Sequence, residues 1–327
     1  MKDAIELFAA LGSRLSRFGC DEYTRALTER ACRVNGWFTP GEINRAVRTL
    51  AEEMLCGDRL RTWLARYPVP VARPRRVLVV MAGNIPLVGF FDLLCVVASG
   101  HRCLVKPSGK DSVLTEFILS ELRQLDPEIR AELYDGTSSV DAVIATGGES
   151  ANRYFRTRYA DIPALLRGNR HSVAVLSGRE TPEQLAGLAD DIWTYSGLGC
   201  RSVSLLFVPE GYDLRLEMPP VNEKYRNNYR QTRALLEMTG RPFVDLGAAV
   251  LVEQREFPAA LSEVSVARYR SLEEVTAWLG VHDAELQCVV TECFSHNRRA
   301  AFGRAQSPAL TDYPDERDVI GFLAALN

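Results

Sequence analysis

Short, uninterrupted apolar runs, each closed by a glycine or a polar residue and followed by a helical pattern, constrain this chain more than any other feature. Arg76-Val-Leu-Val-Val-Met81 is one, Arg102-Cys-Leu-Val-Lys106 a second, Ala142-Val-Ile-Ala145 a third and Ser172-Val-Ala-Val-Leu176 a fourth. Runs of this length without alternation suit strands buried on both faces. Between them, Leu114, Phe117, Ile118, Leu122 and Leu125 recur on one helical face. Thr181-Pro-Glu-Gln184 has the form of a capping box opening a helix that buries Leu185, Leu188, Ala189 and Ile192. Strands alternating with helices predict a parallel, doubly wound α/β sheet. Such sheets take ligands beyond the carboxyl ends of their strands. The residues to inspect are therefore Gly83-Asn84, Lys106-Pro-Ser108, Gly147-Gly-Glu149 and Gly178.

Residues 1–66 read as helices, with Thr39-Pro-Gly-Glu42 as a second capping box carrying proline at the first helical position. The prolines of the segment from Tyr67 to Pro74 exclude a regular helix there. Further strands are expected at Ser202–Val208 and Ala248–Val252, with a polar helix around Asn222–Tyr229 between them.

Composition excludes several classes. Hydrophobic residues make up 46% and charged residues 25%, enough for a sizeable core, and a net charge of -3 gives no reason to expect nucleic-acid binding. The eight cysteines follow no disulfide framework and are read as reduced thiols. Cys288, Cys293 and His296 have a loosely zinc-like spacing but no fourth ligand nearby, so no metal is expected. The N-terminus is too polar for a secretory segment. The longest apolar stretch, Ile85 to Ser99, is broken by Pro86 and Asp92 and falls short of the roughly 20 residues a membrane helix needs. A cytoplasmic protein is expected.

Cys200 stands in Tyr195-Ser-Gly-Leu-Gly-Cys200-Arg, after a helix and before a strand. The glycines allow a close backbone approach, and Arg201 would favour a reactive thiolate. A small core cysteine in a glycine turn would read the same way. Asn84 follows a buried strand, where it is either an amide donor toward a reacting oxygen or a turn residue that tolerates a left-handed backbone. Lys106 ends a strand, where it can bond a ribose or phosphate or simply snorkel to solvent. Gly147-Gly148-Glu149 is a glycine turn at a helix start, and no GxGxxG or P-loop occurs.

In order and content these motifs resemble the aldehyde dehydrogenase superfamily, and within it the acyl-CoA reductases of the bacterial bioluminescence type, over roughly residues 70–325. Asn84, in Ala82-Gly-Asn-Ile-Pro-Leu87, resembles the family asparagine that helps form an oxyanion hole. Ala98-Ser-Gly-His-Arg-Cys-Leu-Val-Lys-Pro-Ser108 is similar to the family's Ala-Ala-Gly-Asn-x-Val-Val-x-Lys-Pro-Ser run, which implies that Lys106 and Ser108 hold the adenine-ribose side of a dinucleotide. Thr146-Gly-Gly-Glu149 resembles a turn beside that cofactor, and Cys200 falls where the family keeps its nucleophile. The segment Phe302–Asp312 and the helix around Tyr225, Asn227 and Asn228 resemble the reductase branch.

The resemblance implies an aldehyde dehydrogenase-like α/β fold: N-terminal helices over 1–66, a dinucleotide-binding domain over 67–180, a thiol-bearing catalytic domain over 181–300 and a C-terminal segment over 301–327. It implies reduction of an acyl-CoA or acyl-carrier-protein thioester to an aldehyde through an S-acyl Cys200. NADPH is the expected cofactor, with NADH as the alternative, and His171 is a candidate helper in proton transfer. A homo-oligomer is expected, with room for an acyl-transferring partner enzyme. Counting back from Cys200, Leu166 takes the place of the glutamate that hydrolytic members use to activate water. A thiol-dependent reductase has no need of that base. Two other readings stay open: a CoA-acylating dehydrogenase running in the oxidative direction, and a non-catalytic acyl- or cofactor-binding scaffold.

Overall fold

A computed structural model describes residues 3–326 and divides into two compact units. The first runs to Asn169 and resumes at Ala309; the second spans Arg170–Pro308.

The first unit is built on a five-stranded parallel sheet: β1 (Arg76–Val80), β2 (Arg102–Lys106), β3 (Ala131–Leu133), β4 (Ala142–Thr146) and β5 (Ala164–Arg167), in the order β3-β2-β1-β4-β5. Helices α1 (Ala4–Leu15), α2 (Glu22–Val34), α3 (Pro40–Thr49) and α4 (Gly57–Leu64) precede it. Helices α5 (Phe90–Ala98), α6 (Ser112–Leu125) and α7 (Glu149–Arg158) connect its strands. The apolar runs are continuous because both faces are covered. Val77, Val79, Cys103, Val105 and Ile144 face α5 and α6, while Leu78, Leu104, Val143 and Ala145 pack on Phe155 of α7. The chain leaves β1 for β2 on one side and returns to β4 on the other. The gap between β1 and β4 is therefore the switch point at which a sheet of this order opens a crevice.

The N-terminal helices are not a segment apart. Leu7, Phe8 and Leu11 of α1, Ile43 and Val47 of α3, and Leu60 and Trp63 of α4 join one core with α5 and α6. An amphipathic helix cannot bury its stripe alone, and the α5–α6 face supplies the partner. Both predicted capping boxes form, at Thr39 with Glu42 and at Thr181 with Gln184.

The second unit carries a seven-stranded sheet: β6 (His171–Val175), β7 (Val203–Pro209), β8 (Val244–Asp245), β9 (Val250–Glu253), β10 (Glu263–Tyr269), β11 (Leu286–Thr291) and β12 (Arg299–Ala300). Its order is β12-β11-β6-β7-β10-β9-β8, with β8 the antiparallel edge. Helix α8 (Pro182–Trp193) links β6 to β7. Helix α9 (Glu223–Thr239) sets Tyr229 and Leu236 against β9. Helix α10 (Leu272–Val281) covers Val173, Val175, Leu205 and Phe207.

Two boundaries differ from expectation. The strand expected to be the fourth of the first sheet is β6, which belongs to the second, so the division falls at 169/170 rather than 180/181. The reason is the connection. Only residues 168–170 separate β5 from β6, whereas parallel neighbours in one sheet need a crossover of roughly a dozen residues or more. The expected C-terminal segment is also split. Residues up to Pro308 stay with the second unit, and α11 (Val319–Ala324) buries Val319, Ile320 and Leu323 in the core of the first. The His101 ring ties that helix down, accepting the Arg75 N–H at 2.9 Å on Nδ1 and lying 3.0 Å from the Leu323 carbonyl through Nε2.

Candidate active site

In the first unit every residue expected to hold a cofactor lies at the carboxyl edge of the sheet, beyond adjacent strands. Asn84 is exposed in the loop after β1. That loop is pinned from beneath by the buried Asn35, whose Nδ2 donates to the Gly83 carbonyl at 3.1 Å. A Cβ on Gly83 would lie 2.5 Å from Ser108 Oγ, so glycine lets the loops after β1 and β2 touch. Lys106, opposite Val80 in the register, is exposed, and its carbonyl accepts the Met81 N–H at 3.0 Å. Ser108 Oγ accepts the Lys110 N–H at 3.3 Å.

Leu87 holds a left-handed backbone (φ 56°), and its N–H donates to Asp111 Oδ2 at 2.8 Å. Burial pushes the Asp111 carboxyl up to about 7, against the opposing effect of that hydrogen bond.

The Gly147 turn is equally constrained. A Cβ there would meet the Ala151 Cβ at 2.8 Å. The Gly147 N–H donates to the Arg167 carbonyl at 3.2 Å, and Asn152 Nδ2 donates to the Gly147 and Arg167 carbonyls at 3.0 and 2.9 Å. Gly148 caps α7, and Glu149 opens it exposed, 3.7 Å from Arg153. Beneath this turn Arg167 forms a buried ion pair with Asp92 of α5, and its Nε donates to Thr146 Oγ1 at 3.1 Å. Leu166, one residue earlier on β5, packs beside Phe155 on the opposite face.

The second unit contains the thiol. Cys95, Cys103 and Cys288 are buried, and burial drives the thiols of Cys95 and Cys103 well up; Cys200 is partly exposed. The chain reaches it through three consecutive left-handed residues, Tyr195 (φ 56°), Ser196 (φ 54°) and Gly197 (φ 65°). For a non-glycine residue this conformation costs about 1–2 kcal/mol and is seldom sustained, so the surrounding packing has to enforce it. Tyr195 and Ser196 are both buried. Ser172 Oγ donates to the Cys200 carbonyl at 2.8 Å, and the Ser202 N–H donates to the Gly199 carbonyl at 3.0 Å. Arg201 turns its guanidinium to the Ala305 carbonyl and to Cys288 Sγ at 3.9 Å.

His171 opens β6 with its ring stacked on Phe257, centroids 4.1 Å apart, in a group with Trp278 of α10. Burial lowers its pKa. Successive strand residues point to opposite faces, so this ring is turned away from the face on which Ser172 meets the Cys200 carbonyl.

The family model described as acyl-CoA reductase (LuxC) matches residues 20–218. That segment includes Asn84, Lys106, Ser108, the Gly147 turn and Cys200. The chain belongs to the LuxC acyl-CoA reductase family.

No curated protein sequence matches this family member. Among solved structures, an acetylating aldehyde dehydrogenase from Geobacillus thermoglucosidasius shares 12% identity at a TM-score of 0.64, over 94% of this chain and 83% of that one. A succinic semialdehyde dehydrogenase from Streptococcus pyogenes, solved with NADP+, shares 12% at 0.61, over 85% and 74%. Proline utilization A shares 18% at 0.62 over 85% of this chain, which spans only 34% of that protein. These likenesses establish an aldehyde dehydrogenase fold. Family membership supports acyl thioester and aldehyde redox chemistry.

Sequence reasoning missed the residues that hold the candidate groups in place: Asn35, Asp92, Asp111, Asn152 and Arg167 in the first unit, Ser172, Asp191 and Ser202 in the second. Asp92 had a signal. A carboxylate inside the apolar run from Ile85 to Ser99 has to find a buried partner. Among the described residues, no group of three or more His, Cys, Asp and Glu could hold a metal ion, and no helix is long and apolar enough to cross a membrane.

Proposed function

We propose that the chain reduces an acyl thioester of coenzyme A or an acyl-carrier protein to the aldehyde, with NADPH as reductant and Cys200 as nucleophile. The observation that carries this reading is the partly exposed Cys200 at the end of a left-handed, glycine-flanked turn inside the segment matched to the reductase family.

The first unit fits a dinucleotide. Lys106, Ser108 and the backbone N–H groups at the start of α7 are donors gathered at the strand ends, and Gly148, where a Cβ would meet nothing within 4 Å, leaves the backbone open to close approach. Lys106 and Ser108 would hold the ribose, and the turn at Gly147, Gly148 and Glu149 would lie beside the cofactor.

The Cys200 thiolate adds to the acyl carbonyl carbon, and the carbonyl electron pair moves to oxygen. The family resemblance assigns Asn84 the oxyanion-donor role, with the backbone N–H at Cys200 as a second donor. The oxyanion re-forms the carbonyl and expels the donor's thiolate, which takes a proton and leaves S-acyl-Cys200. A reduced nicotinamide, when held by Lys106, Ser108 and the Gly147 turn, would supply the hydride that this acyl carbon takes up. The resulting oxyanion collapses to aldehyde and returns the Cys200 thiolate. Collapse from the oxyanion needs no proton donor, so His171 is given no role. Leu166, in the place of a water-activating carboxylate, leaves the S-acyl group to the thiol or the reductant. That feature equally suits the reverse reaction, aldehyde to acyl-CoA, and rates measured in both directions separate the two.

Acyl-CoA of graded chain length with NADPH should give cofactor oxidation and free thiol, and Cys200→Ala should abolish both. Turnover unchanged in that variant would remove the proposed nucleophile. Lack of a covalent acyl adduct by intact mass in the wild type would leave a binding scaffold.

A further inference from the structure

Asp191 is fully buried in the last turn of α8. A carboxylate there is doubly disfavoured, by desolvation and by the negative end of the helix dipole. Both of its oxygens are met by backbone from one distant segment. The Gly303 N–H donates to Oδ2 at 2.7 Å and the Ala305 N–H to Oδ1 at 2.9 Å. The same segment is pressed onto α8 at a second point, since a Cβ on Gly187 would lie 2.9 Å from Gly303 N. Gly303 itself is left-handed (φ 76°). Residues 303–306 therefore form a strap seated on α8 by a carboxylate and a glycine contact.

The other side of the strap grips the thiol loop. The Ala305 carbonyl accepts from Arg201 Nε, and Gln306 Nε2 donates to Ser202 Oγ at 3.2 Å. That hydroxyl accepts the Gly199 N–H at 3.3 Å. The residues on both sides of Cys200 are thus held by the strap, and α8 leads through the left-handed turn into the same loop.

We infer that Asp191 is a positioning residue for the nucleophile: through the strap it fixes the orientation and environment of the Cys200 thiol. The inference rests on the role given to Cys200 above. Its first readout, alkylation of that thiol, does not depend on turnover. Neither variant below touches Cys200, and the cofactor groups lie in the other unit.

The test compares wild type, Asp191→Asn and Gly187→Ala. Asparagine keeps one acceptor and turns an NH2 toward a backbone N–H. Alanine at 187 pushes the strap away without altering the carboxylate. Iodoacetamide alkylation of Cys200, read by peptide mass across pH, should change in rate and midpoint in both variants. With acyl-CoA, kcat should fall roughly 10- to 100-fold while KM for NADPH stays unchanged. If Asp191→Asn does not fold, Gly187→Ala carries the test alone. Folded variants with the wild-type alkylation profile and kcat overturn the inference, even if their melting temperatures drop. A wild type that forms no S-acyl adduct sinks the proposed function instead, and the alkylation profile still decides the role of Asp191.

Discussion

The carboxyl edge of the first sheet and the Cys200 loop of the second unit solve the same problem, holding exposed functional groups still, by different means. Under the first edge lie charges whose hydrogen bonding is incomplete. Asp92 and Arg167 pair, yet Asp92 Oδ1 and Arg167 Nη1 are buried without a hydrogen-bond partner, as is Asp111 Oδ1. Under the thiol loop the fully buried Asp191 has both oxygens satisfied by backbone N–H groups, and the remaining support comes from hydroxyl, amide and guanidinium groups. A half-satisfied buried ion pair adds little net stability over apolar packing but is costly to break on one side only. A carboxylate bridging two amides cannot be replaced by an apolar side chain without stranding both.

The contrast is broken most forcefully at Arg167. Arg167→Met alone should cost about 3–5 kcal/mol in denaturant melts, by leaving Asp92 charged and alone. The double variant with Asp92→Leu should recover most of that loss. A double variant as unstable as the single would show that the pair is worth more than its incomplete hydrogen bonding implies.

Next in size is Asp111. Its folded pKa is raised from 3.8 to about 7, so between those values the folded state keeps a proton that the unfolded chain has released. Stability from this group is therefore present below about pH 4 and lost as pH rises through 7. Asp111→Asn, whose Oδ1 can still accept the Leu87 N–H, should be more stable than wild type at pH 8 by up to about 4 kcal/mol. Melts across pH should show the gap closing toward pH 4; a constant offset would assign the effect to packing instead of ionisation.

The smallest effect is steric. Gly83→Ala places a methyl 2.5 Å from Ser108 Oγ and should cost about 1–3 kcal/mol, with weaker NADPH binding by fluorescence titration. An unchanged affinity would separate the Ser108 loop from the cofactor.

Much of the fold was legible from periodicity. The runs at 76–81, 102–106 and 142–145 lie within a residue of β1, β2 and β4, and both capping boxes form as read. The short edge strands β3 and β5 were not legible, because three or four residues carry too little pattern. The assignment of β6 was not legible for the same reason. Its apolar run says strand, but the brevity of 168–170, which keeps it from lying parallel beside β5 in one sheet, shows only once β5 is placed. At the candidate site, residues adjoining strand ends and glycines stood out. Their supports did not.

The division follows the range of the forces. Strand runs, helix stripes, capping boxes and glycine turns are set by neighbours a few residues apart, so the amino-acid order alone determined them, along with the positions of Asn84, Lys106 and Cys200 at element ends. The partners of Asp191 lie 112 and 114 residues away, Arg167 meets Asp92 across 75, and the N-terminal helices share a core with α11 near the far end of the chain. Those contacts exist only once burial has brought distant segments together, because a buried charge has to take whichever donor or counter-ion the packed fold delivers. Tertiary structure therefore decided which polar residues support the site, which sheet β6 joins and to which unit the C-terminal helix returns.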